Sequence, residues 1–370
     1  MPEPAGAPVL VAAGGTGGHL FPAEALAAAL SRRGITVHLA TDGRAARYGG
    51  AFSAQSVHVV SSATLRGRNP IAVAQTALSL GRGLLQAWGL IGQLHPPAVV
   101  GFGGYPTVPP VLAAAWRHVP TVIHEANAVM GRANRLLAPR VTAIATTFPD
   151  IFSGSPDLAA KATVTGNPVR PAVVAVAATP FATPTDVLRI LIVGGSQGAR
   201  ILADVVPSAI GQLKPELRAR LVITQQARDE DLNRVRDGYA RLGVNAETAP
   251  FFADLPARMA ASHLVVSRSG ASTVAELAAI GRPSILVPLP HALDQDQFAN
   301  AGVLEAGGGA IRLVQDAFTP RRLAAEVAAL AAAPQRLATM AAAAKLLGRL
   351  DAAERLADLV LAVAGRGANQ

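Results

Sequence analysis

A single arrangement, occurring twice, restricts this chain more than any other feature. Val9-Leu-Val-Ala-Ala13 is an unbroken apolar run and Gly14-Gly-Thr-Gly-Gly18 follows it. Leu20, Ala23, Leu26, Ala27 and Leu30 then recur at helical spacing until Gly34. The same order returns at Leu188–Val193, Gly194-Gly-Ser-Gln-Gly198 and a helix from Ala199. A short apolar run without polar alternation predicts a strand covered on both faces. Strand, glycine turn and helix in that order open a parallel α/β unit.

Between and after these openings, further strand runs are expected at Ile35–Ala40, Ala98–Phe102, Thr121–His124, Val141–Thr146, Leu221–Thr224, Leu264–Ser267 and Ser284–Pro288. Helical stretches separate them. The expected fold class is therefore α/β, with two doubly wound Rossmann-like domains facing across a cleft. Their expected spans are 1–168 and 169–347, with the Ala/Pro/Thr-rich stretch 171–185 as linker and an Ala/Leu-rich helical tail over 321–365. A length of 370 residues allows each half its own core.

Several classes drop out. The chain has no cysteine, which excludes disulfides, thiolate zinc sites and cysteine nucleophiles. No basic region precedes the short Val9–Ala13 run, so it does not read as a signal peptide. The longest apolar candidate for a span, Ile71–Leu94, is interrupted by Arg82 and polar residues. A soluble, cytoplasmic protein is expected. The net charge is +9, and residues 58–141 hold Arg66, Arg68, Arg82, Arg117, Arg132, Arg135 and Arg140 against one acid, Glu125. Such a surface suits nucleic acid, anionic lipid or a phosphorylated substrate; a solvated face of scattered arginines fits equally well.

Each glycine turn places backbone N–H groups and a helix N-terminus at a strand's carboxyl end, an arrangement that accepts anions. A nicotinamide enzyme would continue the first turn as G-x-G-x-x-G. Leu20 stands where the third glycine belongs, although Asp42 is placed for a ribose contact. His19 begins the helix, and histidine is the side-chain type most often used as a general base near neutral pH. Gly101–Thr107 and His124-Glu-Ala-Asn127 lie at carboxyl ends of strands, where open sheets bind ligands. Glu125 there is a salt-bridge partner, a base or an acceptor for a sugar hydroxyl. In Arg268–Ala278, amides at Ala271–Thr273 suit a phosphate and Glu276 suits a ribose diol. Asp294-Gln295-Asp296 spells the D-x-D that holds a cation in some sugar transferases, but three residues in a loop are a short pattern, and no metal is expected.

Taken in order, Gly14–His19, Gly103-Gly-Tyr105, His124–Asn127, Gly166-Asn-Pro-Val-Arg170, Gly194–Ala199 and Arg268–Glu276 resemble the MurG family of bacterial transferases. Members of that family move N-acetylglucosamine from UDP-N-acetylglucosamine onto lipid I, giving the peptidoglycan precursor lipid II. The resemblance implies the glycosyltransferase-B fold, with a last helix, 348–370, crossing back to the first domain. It also implies roles at matching positions. Thr16, Gly17, Gly18, Asn127 and Arg170 would lie around the donor. Ser196, Phe252, Ala271, Ser272, Thr273, Val274, Ala275, Glu276 and Gln297 would hold UDP and the sugar. His19 is the preferred base and Glu125 the second. The family's His-Glu-Gln-Asn reads His-Glu-Ala-Asn here, so Ala126 lacks whatever that Gln contacts. Asp296 competes with Gln297 for the sugar contact.

The implied reaction is an inverting displacement without metal or cofactor, with preorganised amides stabilising the departing diphosphate. Its acceptor is polyprenyl-linked, so the protein is expected peripherally on the cytoplasmic membrane face, against anionic lipid and not nucleic acid. Leu65, Ile71, Leu78, Leu84, Leu85, Trp88 and Ile91 supply apolar surface beside Arg66, Arg68 and Arg82, with at least half of them expected in the core. Two rivals remain: another UDP-sugar transferase or epimerase of the same fold, and a nucleotide-binding module without turnover.

Overall fold

The computed structural model describes residues 7–14, 17–43, 52, 54–62, 70–195, 198–290 and 295–367, and of 70–73, 366 and 367 the backbone alone. The chain divides into two compact units, Met1–Arg170 with Asp351–Gln370, and Pro171–Leu350.

The first unit carries strands β1 (Val9–Ala12), β2 (Val37–Thr41), β3 (Ser56–Val59), β4 (Val99–Gly101), β5 (Thr121–Glu125), β6 (Ala143–Thr146) and β7 (Ala162–Val164). They form one parallel sheet in the order β3-β2-β1-β4-β5-β6-β7. All four β1 side chains are fully buried, and strand alternation divides them between the two faces. Val9 and Val11 pack with Leu26 and Leu30 of the helix Gly17–Arg32, and with Leu356 and Val360 of the helix Ala352–Gly367. Leu10 and Ala12 pack on the other side with Ile91, Val111 and Leu137. The chain's last helix thus completes the first unit's core. Its rim adds ion pairs from Arg32 and Arg33 to Glu354 and from Arg33 to Asp358, each 2.6 Å. Exposed pairs of this kind contribute at most about 1 kcal/mol each, so the apolar face holds the helix in place.

The second unit carries β8 (Leu188–Val193), β9 (Leu221–Gln226), β10 (Asn245–Ala249), β11 (Leu264–Ser267), β12 (Ser284–Leu286) and β13 (Ala310–Arg312). Its parallel sheet runs β10-β9-β8-β11-β12-β13. Each sheet reverses its winding beside the strand that opens its unit. The connections from neighbours β1 and β4, or β8 and β11, therefore diverge at their carboxyl ends and leave a ligand crevice there.

Three expectations change. Strands β3, β7, β10 and β13 were not legible, because each is a sheet edge paired on one side and needs no continuous apolar run. The stretch 171–185 is not wholly linker: it opens with the helix Pro171–Val176, and two basic side chains tie down residues 177–179. Lys345 donates to the Ala177 and Ala279 carbonyls at 2.7 and 2.6 Å, and Arg282, 1% exposed, donates to those of Thr179 and Ala260. The tail is three helices, Pro320–Ala332, Pro334–Leu346 and Ala352–Gly367, because Pro334 cannot continue the first and instead starts the second.

Candidate active site

In the first unit, the turn after β1 passes beneath the loop after β4. A Cβ on Gly14 would stand 2.8 Å from Pro106 Cβ, so the approach admits only glycine. Gly103 and Gly104 have φ of 83° and 73°, a conformation glycine adopts without penalty. The half-buried His19 ring lies against them: a Cβ on either would come within 3.2–3.3 Å of an imidazole carbon. Thr107 fastens this loop through its hydroxyl and its amide to the Gly104 carbonyl, at 2.7 and 3.1 Å.

Glu125 ends β5 and is 2% exposed. Its Oε1 accepts from the Asn127 amide at 3.0 Å and from Asn127 Nδ2 at 3.1 Å. Its Oε2 accepts from the Gly131 amide at 3.0 Å and from Asn134 Nδ2 at 2.8 Å. Burial raises its pKa while these four donors pull it down. The carboxylate thus organises residues 126–134. His124 is fully buried beside Phe102, and its Nε2 donates to the Gly166 carbonyl at 3.1 Å, which leaves Nδ1 as the unprotonated nitrogen. Burial pushes its pKa down to about 4. Gly166 opens the segment that ends at Arg170, whose guanidinium carbon lies 4.3 Å from the centre of the Phe21 ring.

In the second unit, Gln226 clamps the glycine turn after β8. Its Oε1 accepts from the Gly194 amide at 3.1 Å, and its Nε2 donates to the carbonyls of Gly195 and Pro250 at 3.2 and 3.1 Å. The helix Ala271–Ile280 begins after Gly270 with no side-chain cap, and a helix N-terminus of this kind favours an anion. Glu276 sits on this helix and is 5% exposed. Around the helix start, Ser269 Oγ donates to the Gln297 carbonyl at 2.8 Å, and Asn300 Nδ2 donates to the Ser269 carbonyl at 3.3 Å. Gln297 Oε1 accepts from the Leu289 amide at 3.0 Å. Arg268 spans the next loop, donating to the Val287 and Pro288 carbonyls and to Gln315 Oε1.

The structure therefore gathers Gly17, Gly18, His19, Glu125, Asn127 and Arg170 at one sheet edge, and Phe252, Ala271–Glu276 and Gln297 at the other. Phe252 is buried under the Arg258 guanidinium, 4.4 Å from its ring centre, while its neighbour Phe251 is 73% exposed. Asp296 begins the helix Asp296–Ala306 and does not lie in a loop. Thr16, Ser196 and Asp294 lie outside the described residues. Among the described residues, no group of three or more His, Asp or Glu side chains could hold a metal ion. Sequence reasoning missed Asn134 and Gln226. Their signals were a polar residue on an otherwise apolar helix face and a polar strand end.

Two family descriptions match the chain, the N-terminal domain of glycosyltransferase family 28 over residues 9–146 and its C-terminal domain over 189–356. The chain belongs to glycosyltransferase family 28. A protein of Rhodopseudomonas palustris strain BisB18 is 66% identical over 359 residues, 96% of each chain. One of Nitrobacter winogradskyi is 64% identical over 362 residues, 97% of this chain and 98% of that one. Both are named UDP-N-acetylglucosamine--N-acetylmuramyl-(pentapeptide) pyrophosphoryl-undecaprenol N-acetylglucosamine transferase. The solved structure of Acinetobacter baumannii MurG is similar at a TM-score of 0.77 and 30% identity, over 96% of this chain and 99% of that one. A UDP-GlcNAc 2-epimerase from Neisseria meningitidis has a TM-score of 0.67 at 14% identity over 95% of this chain and 99% of that one, and shares the fold. This family 28 chain is thus a glycosyltransferase built on two Rossmann-like units. None of its described helices is long and apolar enough to cross a membrane.

Proposed function

We propose that this glycosyltransferase transfers N-acetylglucosamine from UDP-N-acetylglucosamine to the muramyl 4-hydroxyl of a polyprenyl-diphosphate-linked acceptor, lipid I, in peptidoglycan synthesis. The observation that carries this reading is the pairing of an uncapped helix N-terminus at Ala271 with the buried carboxylate of Glu276 on the same helix. Amides meet the diphosphate, and the carboxylate accepts from the ribose hydroxyls. Near-full-length identity of 64–66% to the named transferases supports the choice of donor and acceptor over an epimerase of the same fold.

Negative charge grows on the diphosphate as the anomeric bond breaks. Helix-end amides stabilise it without reorganisation, which is the part a metal plays in other transferases. On the acceptor side His19 is the general base, held by Gly103 and Gly104 in one orientation. Glu125 spends both oxygens on residues 127–134, and that commitment favours His19. Thr16, Gly17, Gly18, Asn127 and Arg170 are the first unit's substrate-binding residues; Ser196, Phe252, Ala271–Glu276 and Gln297 are the second unit's, for UDP and its sugar. Because Gln297 Oε1 already holds the Leu289 amide, its sugar contact falls to the Nε2 end of the carboxamide.

The acceptor's polyprenyl chain stays in the bilayer, so the enzyme works as a peripheral protein on the cytoplasmic face of the cell membrane. The helix Pro70–Leu94 presents Leu78 and Leu85, each 76% exposed, and Trp88, 41% exposed, beside Arg82. Ile91 is core, Leu84 is half-buried, and Leu65 and the Ile71 side chain lie outside the described residues. The decisive experiment is UDP release measured with and without a lipid I analogue, in excess chelator. Acceptor-dependent release supports the reading. Release without acceptor, none at all, or a requirement for added magnesium counts against it.

A further inference from the structure

We infer that Phe21 is a positioning residue of the transfer: its ring is the platform that fixes the Arg170 guanidinium against the first glycine turn. This rests on the reading above, in which Arg170 is a substrate-binding residue. The Phe21 ring touches both partners. Arg170 Cζ lies 4.3 Å from its centre, within the range of a cation–π contact. A Cβ on Gly17 would be 3.0 and 3.1 Å from Phe21 Cε2 and Cζ, so glycine at 17 is what lets the ring lie on the turn. Gly17 and Phe21 are four residues apart on the helix Gly17–Arg32, and hence neighbours on one face.

Arginine is a long side chain whose rotamer freedom must be surrendered when it grips an anion. Two interactions surrender part of it in advance here, on a segment whose backbone is fastened upstream. The backbone approach is set at Gly166, whose carbonyl accepts from His124 Nε2 and Thr165 Oγ1, both at 3.1 Å. The guanidinium then meets the electron-rich ring face. Glu24, one turn beyond Phe21, attracts the same charge from its half-buried place on that helix. An aliphatic residue of similar bulk at 21 would fill the space and lose the ring's quadrupole.

The test is a double-variant cycle on full-length protein with kcat, donor KM and thermal midpoint as readouts, using Phe21→Leu, Phe21→Tyr, Arg170→Ala and Phe21→Leu with Arg170→Ala. Phe21→Leu should lower kcat/KM for the UDP-sugar about threefold to thirtyfold, the range of a cation–π contact. Phe21→Tyr, which keeps the ring face, should recover most of that. In the Arg170→Ala background, Phe21→Leu should add nothing, since a platform without its guanidinium has no function. Unchanged kinetics in Arg170→Ala overturn the substrate-binding reading and this inference together. Impaired Arg170→Ala with normal Phe21→Leu, or additive losses in the double variant, overturns this inference alone.

Discussion

Asn134 donates from Nδ2 to Oε2 of Glu125 at 2.8 Å and, from the same nitrogen, to the His124 carbonyl at 3.0 Å. One amide thus ties the end of β5 to the helix Arg132–Leu137, with the Glu125 carboxylate as the central acceptor. Glu125→Gln keeps the size but turns an NH2 group toward donors that need an oxygen. The expected loss of stability is about 2–4 kcal/mol, the scale of buried charge-assisted hydrogen bonds, read by urea unfolding. Asn134→Ala carries no titratable group yet should lower turnover in parallel. A Glu125→Gln protein that is fully stable but inactive would return the role of base to Glu125.

His19 is tested separately. Its ring lies against Gly103 and Gly104 at the carboxyl edge of the first sheet, where the reading places the general base. His19→Ala should reduce turnover roughly 100-fold or more while UDP-sugar affinity persists. Steady-state kinetics together with calorimetry separate the two quantities. A loss confined to donor affinity would make His19 a structural residue.

Glu276→Ala should weaken UDP binding by about 1.5–3 kcal/mol, as expected when a charged acceptor is removed from a hydroxyl pair. Titration calorimetry with UDP reads this directly, because the effect needs no acceptor substrate. Unaltered affinity would show that the carboxylate does not meet the ribose.

Much of this site was legible because its constraints are local. Glycine turns, a strand's apolar run and a helix N-terminus are written in adjacent residues, so β1, β8 and the Arg268–Glu276 segment were read from spacing. The hidden part depends on residues far apart in sequence. Asn134 reaches back to Glu125, Gln226 crosses to Gly194, and Lys345 meets Ala177 only once the second unit has folded. Edge strands such as β10, Asn-Ala-Glu-Thr-Ala, are polar because one side lacks a partner, and polarity conceals them.

Acid should weaken the first unit in a defined window. Burial holds His124 at a pKa of about 4, well below the ordinary histidine value, so the folded protein resists a proton that the unfolded chain accepts. Stability is therefore fully present above pH ~6.5 and falls as the pH drops toward 4, by on the order of 3 kcal/mol over the window. Burial shifts His58 of the same unit in the same direction, which adds to the slope, and His263 gives the second unit a dependence of the same sign. Urea midpoints at pH 7.5, 6 and 5 measure it, and His124→Gln should flatten the dependence even if its baseline is lower. A slope unchanged by His124→Gln would place the acid sensitivity elsewhere.

Membrane docking is the remaining prediction, and it divides into an apolar and an electrostatic part. Leu78 and Leu85 are one heptad apart on the helix Pro70–Leu94 and strongly exposed; Trp88 lies beside them under the Arg117 guanidinium, 4.7 Å from its ring centre. Trp116, 52% exposed, ends the neighbouring helix Val108–Trp116. Shallow insertion of two leucines and a tryptophan gives weak binding by itself, and each arginine near an anionic leaflet adds about 1 kcal/mol. Binding to anionic vesicles should therefore fall with salt, and neutral vesicles should retain little protein. Two variants separate the parts in co-sedimentation. Leu78→Ser with Leu85→Ser should weaken binding at every salt concentration, whereas Arg66→Glu, Arg68→Glu and Arg82→Glu together should abolish the salt dependence. Arg66 and Arg68 lie outside the described residues, so their share of the effect is read from the triple variant against Arg82→Glu alone. Equal retention of wild type and both variants, or no retention of wild type by anionic vesicles, would remove this helix from the docking surface.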